Sequence, residues 1–220
     1  MIRPSDAPRR LMETRGMSAF RHRNYRLFFI GQAISLVGTW MQSVAQAWLV
    51  LQLTHDPLWL GVVVAAQFIP VMVFGLFAGV LADALPKRQT LIATQAVMMV
   101  LAIVLAGLTA SGVVTVAMIV ALAALLGCAN AVDMPVRQAF AVEMVGREDI
   151  GNAVALNSAM FNGARIVGPA VAGLTIGAVG VAAAFAINAA SFLAVIVGLA
   201  AMDVALEART LLNRWTQPSR

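Results

Sequence analysis

The residues able to do chemistry in this chain are few and sit at helical spacing inside apolar sequence. Gln32, Ser35, Thr39, Gln42 and Gln46 recur at steps of three and four. That spacing places them on one helical face. Ser158, Asn162, Arg165 and Pro169 repeat the pattern further along. In hydrocarbon such stripes have no partner, so they are expected to line a cavity or to bond neighbouring helices. Arg165 is the sharpest feature. A cation at the centre of an apolar span costs about 2.5–3.5 kcal/mol on insertion scales. Pro169 lacks an N–H, so the carbonyl of Arg165 loses its helical partner. Together they predict a polar, loosened spot suited to substrate, proton or gating contact. A structural cation tied to amides or carbonyls is the other reading.

A second group carries charge. Asn130, Asp133 and Arg137 share a face, and Asp83, Lys87 and Arg88 lie close together. Opposite charges at one membrane face can form ion pairs that make and break as helices move. Solvated loop charge is the bland alternative. The chemistry that is missing narrows the function. His22 and His55 are the only histidines, and both fall outside the predicted spans. A serine nucleophile in the membrane would therefore lack its base. Neither a zinc-binding HExxH pair nor a Walker A phosphate loop occurs. Cys128 stands alone, which leaves no intramolecular disulfide. No enzyme activity, cofactor or metal site is expected.

These residues need membrane helices to position them. Of 220 residues 61% are hydrophobic and 11% charged, and the mean hydropathy is +0.87. Soluble domains carry about twice that share of charge. Charge-free runs extend from Leu27 to His55, Pro57 to Ala82 and Gln89 to Val132. Ile150 to Met202 is interrupted only by Arg165. The third run would make one helix of roughly 66 Å, about twice a bilayer core. It must fold back, at Ser111-Gly112, and the last run at Gly177 to Gly180. Six helices are predicted, at 28–53, 58–82, 90–110, 113–134, 153–177 and 181–202. The organisation is a leading segment 1–26, a six-helix bundle 27–202 and a tail 203–220. Ser18 to Arg26 suits a short interfacial helix.

Of the 15 basic residues, 14 fall on alternate connections and the termini. Arg165 is the exception. This positive-inside bias predicts a multi-pass protein of the cytoplasmic membrane with both termini cytoplasmic. It accounts for the net charge of +5 without a nucleic-acid partner. Gly75-x-x-x-Gly79 and Gly173-x-x-x-Gly177 allow close helix approach. Pro70 and Pro169 occupy matching places if the chain is two inverted three-helix repeats, a transporter device.

Four motifs then resemble the major facilitator superfamily. Gly79-Val-Leu-Ala-Asp83-Ala-Leu-Pro-Lys87-Arg88 resembles the loop between the second and third helices, departing from it at Ala84 and Pro86. Gly163-Ala-Arg-Ile-Val-Gly168-Pro169-Ala-Val-Ala-Gly173 resembles the fifth-helix motif of drug/proton antiporters, with Ala172 in place of a glycine. Phe20 to Gln32 and Asp133 to Phe140 look like the enterobactin-exporter and macrolide-efflux branch. The resemblance spans residues 18 to 202. It implies half of a twelve-helix fold, an all-α bundle with a 3+3 inverted repeat. It implies a secondary exporter of a small amphipathic molecule or siderophore, working by alternating access with proton antiport. Gly79, Asp83, Lys87, Arg88, Asp133 and Arg137 would form the cytoplasmic gate, with Arg137 as a partner for Asp83. Gly168, Pro169, Gly173 and Gly177 would form the packing motif. A second six-helix half is then required, from a separate chain or a second copy, unless the product is truncated. The alternative is an inactive or regulatory membrane protein that associates with partner helices.

Overall fold

The computed structural model describes residues 18–145 and 147–202, with the side chains of 76–84 and 147 left aside. A 3-10 turn, Ser18–Arg21, leads into six α-helices: α1 Arg23–Thr54, α2 Leu58–Ala84, α3 Lys87–Ala110, α4 Val116–Glu143, α5 Ile150–Val179 and α6 Val181–Ala200. All six contain stretches long and apolar enough to cross a membrane. The breaks follow local chemistry. Asp56 Oδ1 accepts from the Leu58 N–H at 2.9 Å, with Pro57 opening α2, an N-terminal pattern proline suits. Gly112 at φ +71° ends the α3 turn, a conformation a Cβ disfavours. Gly180 at φ +86° separates α5 from α6, whereas Gly177 stays helical.

One boundary changes the functional reading. The fourth helix was expected to stop at 134, just before Pro135. It runs on to Glu143 with Pro135 inside it, so Arg137 lies within the helix rather than after it, and Asp133 lies well inside rather than at its end. Proline removes one hydrogen bond, from the Ala131 carbonyl. The packing of Val136 and Phe140 into the core outweighs that loss. Their cluster joins Phe28, Leu91, Val195 and Leu199 from α1, α3 and α6. A second cluster draws Met41, Val63, Leu105, Ile119, Ala172 and Phe185 from all six helices. The expected interfacial helix over 18–26 is instead the short 3-10 turn and the start of α1.

The pattern of neighbours is symmetric. α1 packs on α5 and α6, α4 packs on α2 and α3, and α3 packs on α6. Exchanging the first three helices with the last three leaves this pattern unchanged, as an inverted repeat requires. Lipid gives no hydrophobic drive for helices to meet, so close backbone approach must supply the contact energy. A Cβ on Gly31 would sit 2.8 Å from the Ala194 carbonyl, and one on Gly198 3.0 Å from that of Leu27. One on Gly127 would collide with the Gln67 carbonyl, and one on Gly168 with the Trp40 side chain. These glycines close the α1–α6, α2–α4 and α1–α5 seams.

The leading segment is fastened to the start of α5. The Ala19 N–H donates to Asn152 Oδ1 at 3.0 Å, and the Tyr25 hydroxyl donates to the Ala153 carbonyl at 3.2 Å. His22 Nε2 lies 3.2 Å from Asp149 Oδ2. The hydrogen bond with the Ser18 side chain, followed by contact with His22 and the charge of Arg21, holds the Asp149 carboxyl below the usual carboxylate range.

Two outcomes follow from this packing. Gly127→Ala forces the α2–α4 seam apart and costs about 1–3 kcal/mol in detergent unfolding. Gly107→Ala, which meets nothing within 4 Å, is neutral or stabilising. Because the folded Asp149 carboxyl titrates below its unfolded value, its contribution is complete at neutral pH and lost as pH falls through the acidic range. Hydrogen-exchange protection of the Ala19 amide, corrected for intrinsic rate, should fall over that range. It should already be low at neutral pH in Asp149→Asn.

Candidate functional site

Asp133 is the centre of the polar interior. Its side chain has 0% exposure and lies ten residues from the end of α4, about 15 Å of helix. A bare carboxylate there would be very costly, and donors from α3 and α4 meet it. Thr94 Oγ1 and Gln95 Nε2 of α3 donate to Asp133 Oδ1 at 2.8 and 3.0 Å. Arg137, one turn along α4, donates from Nε to Oδ2 at 2.8 Å and also from Nη2. Arg137 Nη1 then reaches Gln32 Oε1 of α1 at 3.4 Å. The chain of contacts therefore runs α1–α4–α3. Gln32 Nε2 and Gln95 Oε1 are buried at its two ends without a hydrogen-bond partner.

The stripe on α1 points into this interior. Gln32, Ser35, Gln42 and Gln46 are buried and Thr39 is half-buried. Gln42 Oε1 accepts from Asn188 Nδ2 of α6 at 2.6 Å. Ser191 donates to Asn188 in turn. Thr39 donates to the Ser35 carbonyl of its own helix at 2.9 Å. In this conformation Gln32 and Gln42 act as interhelical ties.

The basic pair after α2 ties helix ends. Lys87 pairs with Glu143, the last residue of α4, at 3.1 Å. Arg88 donates to the Leu199 and Ala200 carbonyls at 2.7 and 3.0 Å. There it satisfies carbonyls left open at the end of α6, where a cation also suits the helix dipole. Gly79 and Asp83 lie among the side chains outside the described set. The ion pair seen for Arg137 is with Asp133.

Arg165 sits differently. It is half-way along α5 and exposed. Its guanidinium carbon is 5.6 Å from the centre of the Trp40 ring. Trp40 in turn meets Phe161 edge-on at 5.7 Å. A cation–π contact supplies about 0.5–2 kcal/mol, which offsets only part of the insertion cost of an arginine. Ser158 and Asn162 are exposed on the same helix, and Asn162 donates to the Ser158 carbonyl at 2.8 Å. Gly168 seats against Trp40, while Gly173 and Gly177 face open space. Pro169 is half-buried.

The arrangement offers a buried ion pair, an exposed cation on an aromatic ring, and amide ties between helices. Among the described residues, no group of three or more His, Cys, Asp or Glu side chains is placed to hold a metal. Sequence reasoning passed over Thr94, Gln95, Asn188 and Trp40. For the first three, a lone polar residue within an apolar run was the available signal. For Trp40 there was none, because an aromatic in a membrane span reads as core.

Asp133→Ala leaves Arg137 unpaired and should cost about 3–5 kcal/mol. Replacing Asp133 and Arg137 together by leucine should cost less than either single change. Unfolding in detergent measures both, and a double change that costs the sum of the two single changes would mean the two residues do not interact.

Comparison with known proteins agrees with this architecture. Residues 14–216 match the family model described as transmembrane secretion effector, a family of the major facilitator superfamily. The staphyloferrin A transporter of Staphylococcus aureus (strain NCTC 8325 / PS 47) is 29% identical over 150 residues, covering 68% of this chain and 38% of that protein. The uncharacterized MFS-type transporter YfiS of Bacillus subtilis (strain 168) is 29% identical over 165 residues, 73% of this chain and 38% of that protein. The matched stretch thus spans well under half the length of these relatives. No solved structure matches. Six apolar helices in a symmetric 3+3 arrangement, with a family match over nearly all of its length, show that this multi-pass membrane chain belongs to the transmembrane secretion effector family of the major facilitator superfamily.

Proposed function

We propose that this chain is one half of a secondary exporter that moves a small amphipathic molecule or siderophore across the cytoplasmic membrane by alternating access, coupled to protons. Both termini lie in the cytoplasm on this reading, because the basic residues gather at that end of the bundle. The observation that carries it is the state of α2 and α5. Met72 of α2 is 75% exposed, and Ile166 and Leu174 of α5 are 75% and 76% exposed. Gly75, Gly163, Gly173 and Gly177 meet nothing within 4 Å. The glycines at seams within the bundle are in tight contact. Bare glycine faces on α2 and α5, whose mates α4 and α1 are packed from several sides, suit docking of six further helices. Those helices come from a longer chain, a separate chain or a second copy.

Rocking of such a unit needs a midplane site and an end that opens and closes. Ser158, Asn162 and Arg165 supply the substrate-facing group, with the α1 stripe behind them. Asp83, Asp133 and Arg137, with Gly79, Lys87 and Arg88, supply the gate at the cytoplasmic end. Neutralising Asp133 would release Arg137, and with it the contact to Gln32 on α1.

Site-directed crosslinking and flux test the proposal together. In native membranes Gly173→Cys should crosslink to another six-helix unit, whereas Gly107→Cys on α3 should not. Vesicles carrying the crosslinkable assembly should export an amphipathic dye when a proton gradient is imposed, and Asp133→Asn should lose the dependence on that gradient. Crosslinking without gradient-driven flux would indicate a regulatory membrane protein instead. Neither crosslinking nor flux would reject the half-transporter reading.

A further inference from the structure

We infer that Arg165, Trp40 and Phe161 form a subsite for an amphipathic organic anion, with the carboxylate on the Arg165 guanidinium and the apolar body along the aromatic pair. This rests on the proposal that the exposed face of α5 meets substrate, and it fixes the charge that such a substrate carries.

Arg165 forms no ion pair among the described residues. The described carboxylates are committed elsewhere or lie at helix ends. Asp133 is held by Arg137, Glu143 by Lys87 and Asp149 by His22. Asp56 lies in the α1–α2 turn, Asp83 is one residue from the end of α2, and Glu148 precedes α5. Arg165 is fifteen residues into α5, roughly 22 Å from either end. None of the described carboxylates is placed to pair with it, so its counter-charge comes from outside the described residues.

A guanidinium has five N–H donors in a planar fork, and an indole offers a ring face but no acceptor. Trp40 steadies the cation at 5.6 Å without satisfying those donors. Asn162, three residues earlier, is turned to the Ser158 carbonyl. The exposed fork is therefore free for a two-pronged partner, and a carboxylate matches it in charge and shape.

Gly168 seats against Trp40 and Ala164 is buried, so the α1–α5 crossing fixes where the ring and the cation stand. Phe161 is 44% exposed beside them, edge-on to Trp40. A ligand with an apolar body gains contact along this surface. An amphipathic cation meets the same surface and is repelled by Arg165.

The test uses the full chain in nanodiscs, with 2-naphthoate as probe. The isosteric 2-naphthamide and 2-naphthylmethylammonium serve as neutral and cationic comparisons, and empty discs as the blank. Saturable binding of 2-naphthoate is expected. Arg165→Lys, which keeps the charge but loses the planar fork, should retain only part of it. Arg165→Gln should lose about 10- to 100-fold in affinity, the worth of a charge-assisted hydrogen bond. Trp40→Leu should weaken binding while the helical spectrum stays unchanged. Naphthoate affinity unaltered in Arg165→Gln, equal binding of the amide or amine, or no saturable naphthoate binding would each overturn the subsite. Flux is scored separately. Arg165-dependent anion binding without any export would reject the transport reading and keep the subsite. Export that prefers neutral or cationic dyes would do the reverse.

Discussion

A carboxylate with no exposed surface, set inside a helix among apolar neighbours, can persist only if donors are brought to it. Asp133 imposes that requirement on half of the bundle. Thr94 and Gln95 bring α3, Arg137 keeps the charge balanced within α4, and Gln32 brings α1 by accepting from Arg137. In lipid, where packing of small residues and polar contacts replaces the hydrophobic drive, such a node specifies which helices meet and at what height. The glycine seams then allow the backbones to come close enough for the side chains to reach.

The same node suits a moving part. Its contacts converge on one carboxylate, so a single proton would change all of them. That makes it different from the Gln42–Asn188 tie, which is neutral and holds α1 to α6 in either charge state. On the proposed mechanism, α1 and α6 stay together while the contact from Arg137 to Gln32 is made and released. Lys87–Glu143 and Arg88 on the end of α6 keep the helix ends in place around it.

Much of this could be read from spacing and charge. Six spans, the Ser111-Gly112 reversal and the inward α1 stripe follow from period and polarity. The loss at the fourth helix has a definite cause. A proline and a nearby charge both signal an end, but Val136 and Phe140 pack into the core and carry the helix nine residues further, taking Arg137 inside and leaving Asp133 well within it. The partners of these residues were not legible, because Thr94, Gln95 and Asn188 are brought into reach by tertiary packing that no local pattern encodes. Arg165 was singled out by its cost alone. Its place on Trp40 depends on Gly168 letting α1 approach α5.

The central claim is that these six helices move as one body against a second six-helix unit. Spin-label distances test it most directly, with Cys128→Ser as background. A pair within the unit, at His55→Cys and Ser111→Cys, should keep one distance when ligand or a proton gradient is applied. A pair linking Ser111→Cys to the facing unit should shift between two distances. A change within the unit, or no dipolar coupling across to a second unit, would contradict the account.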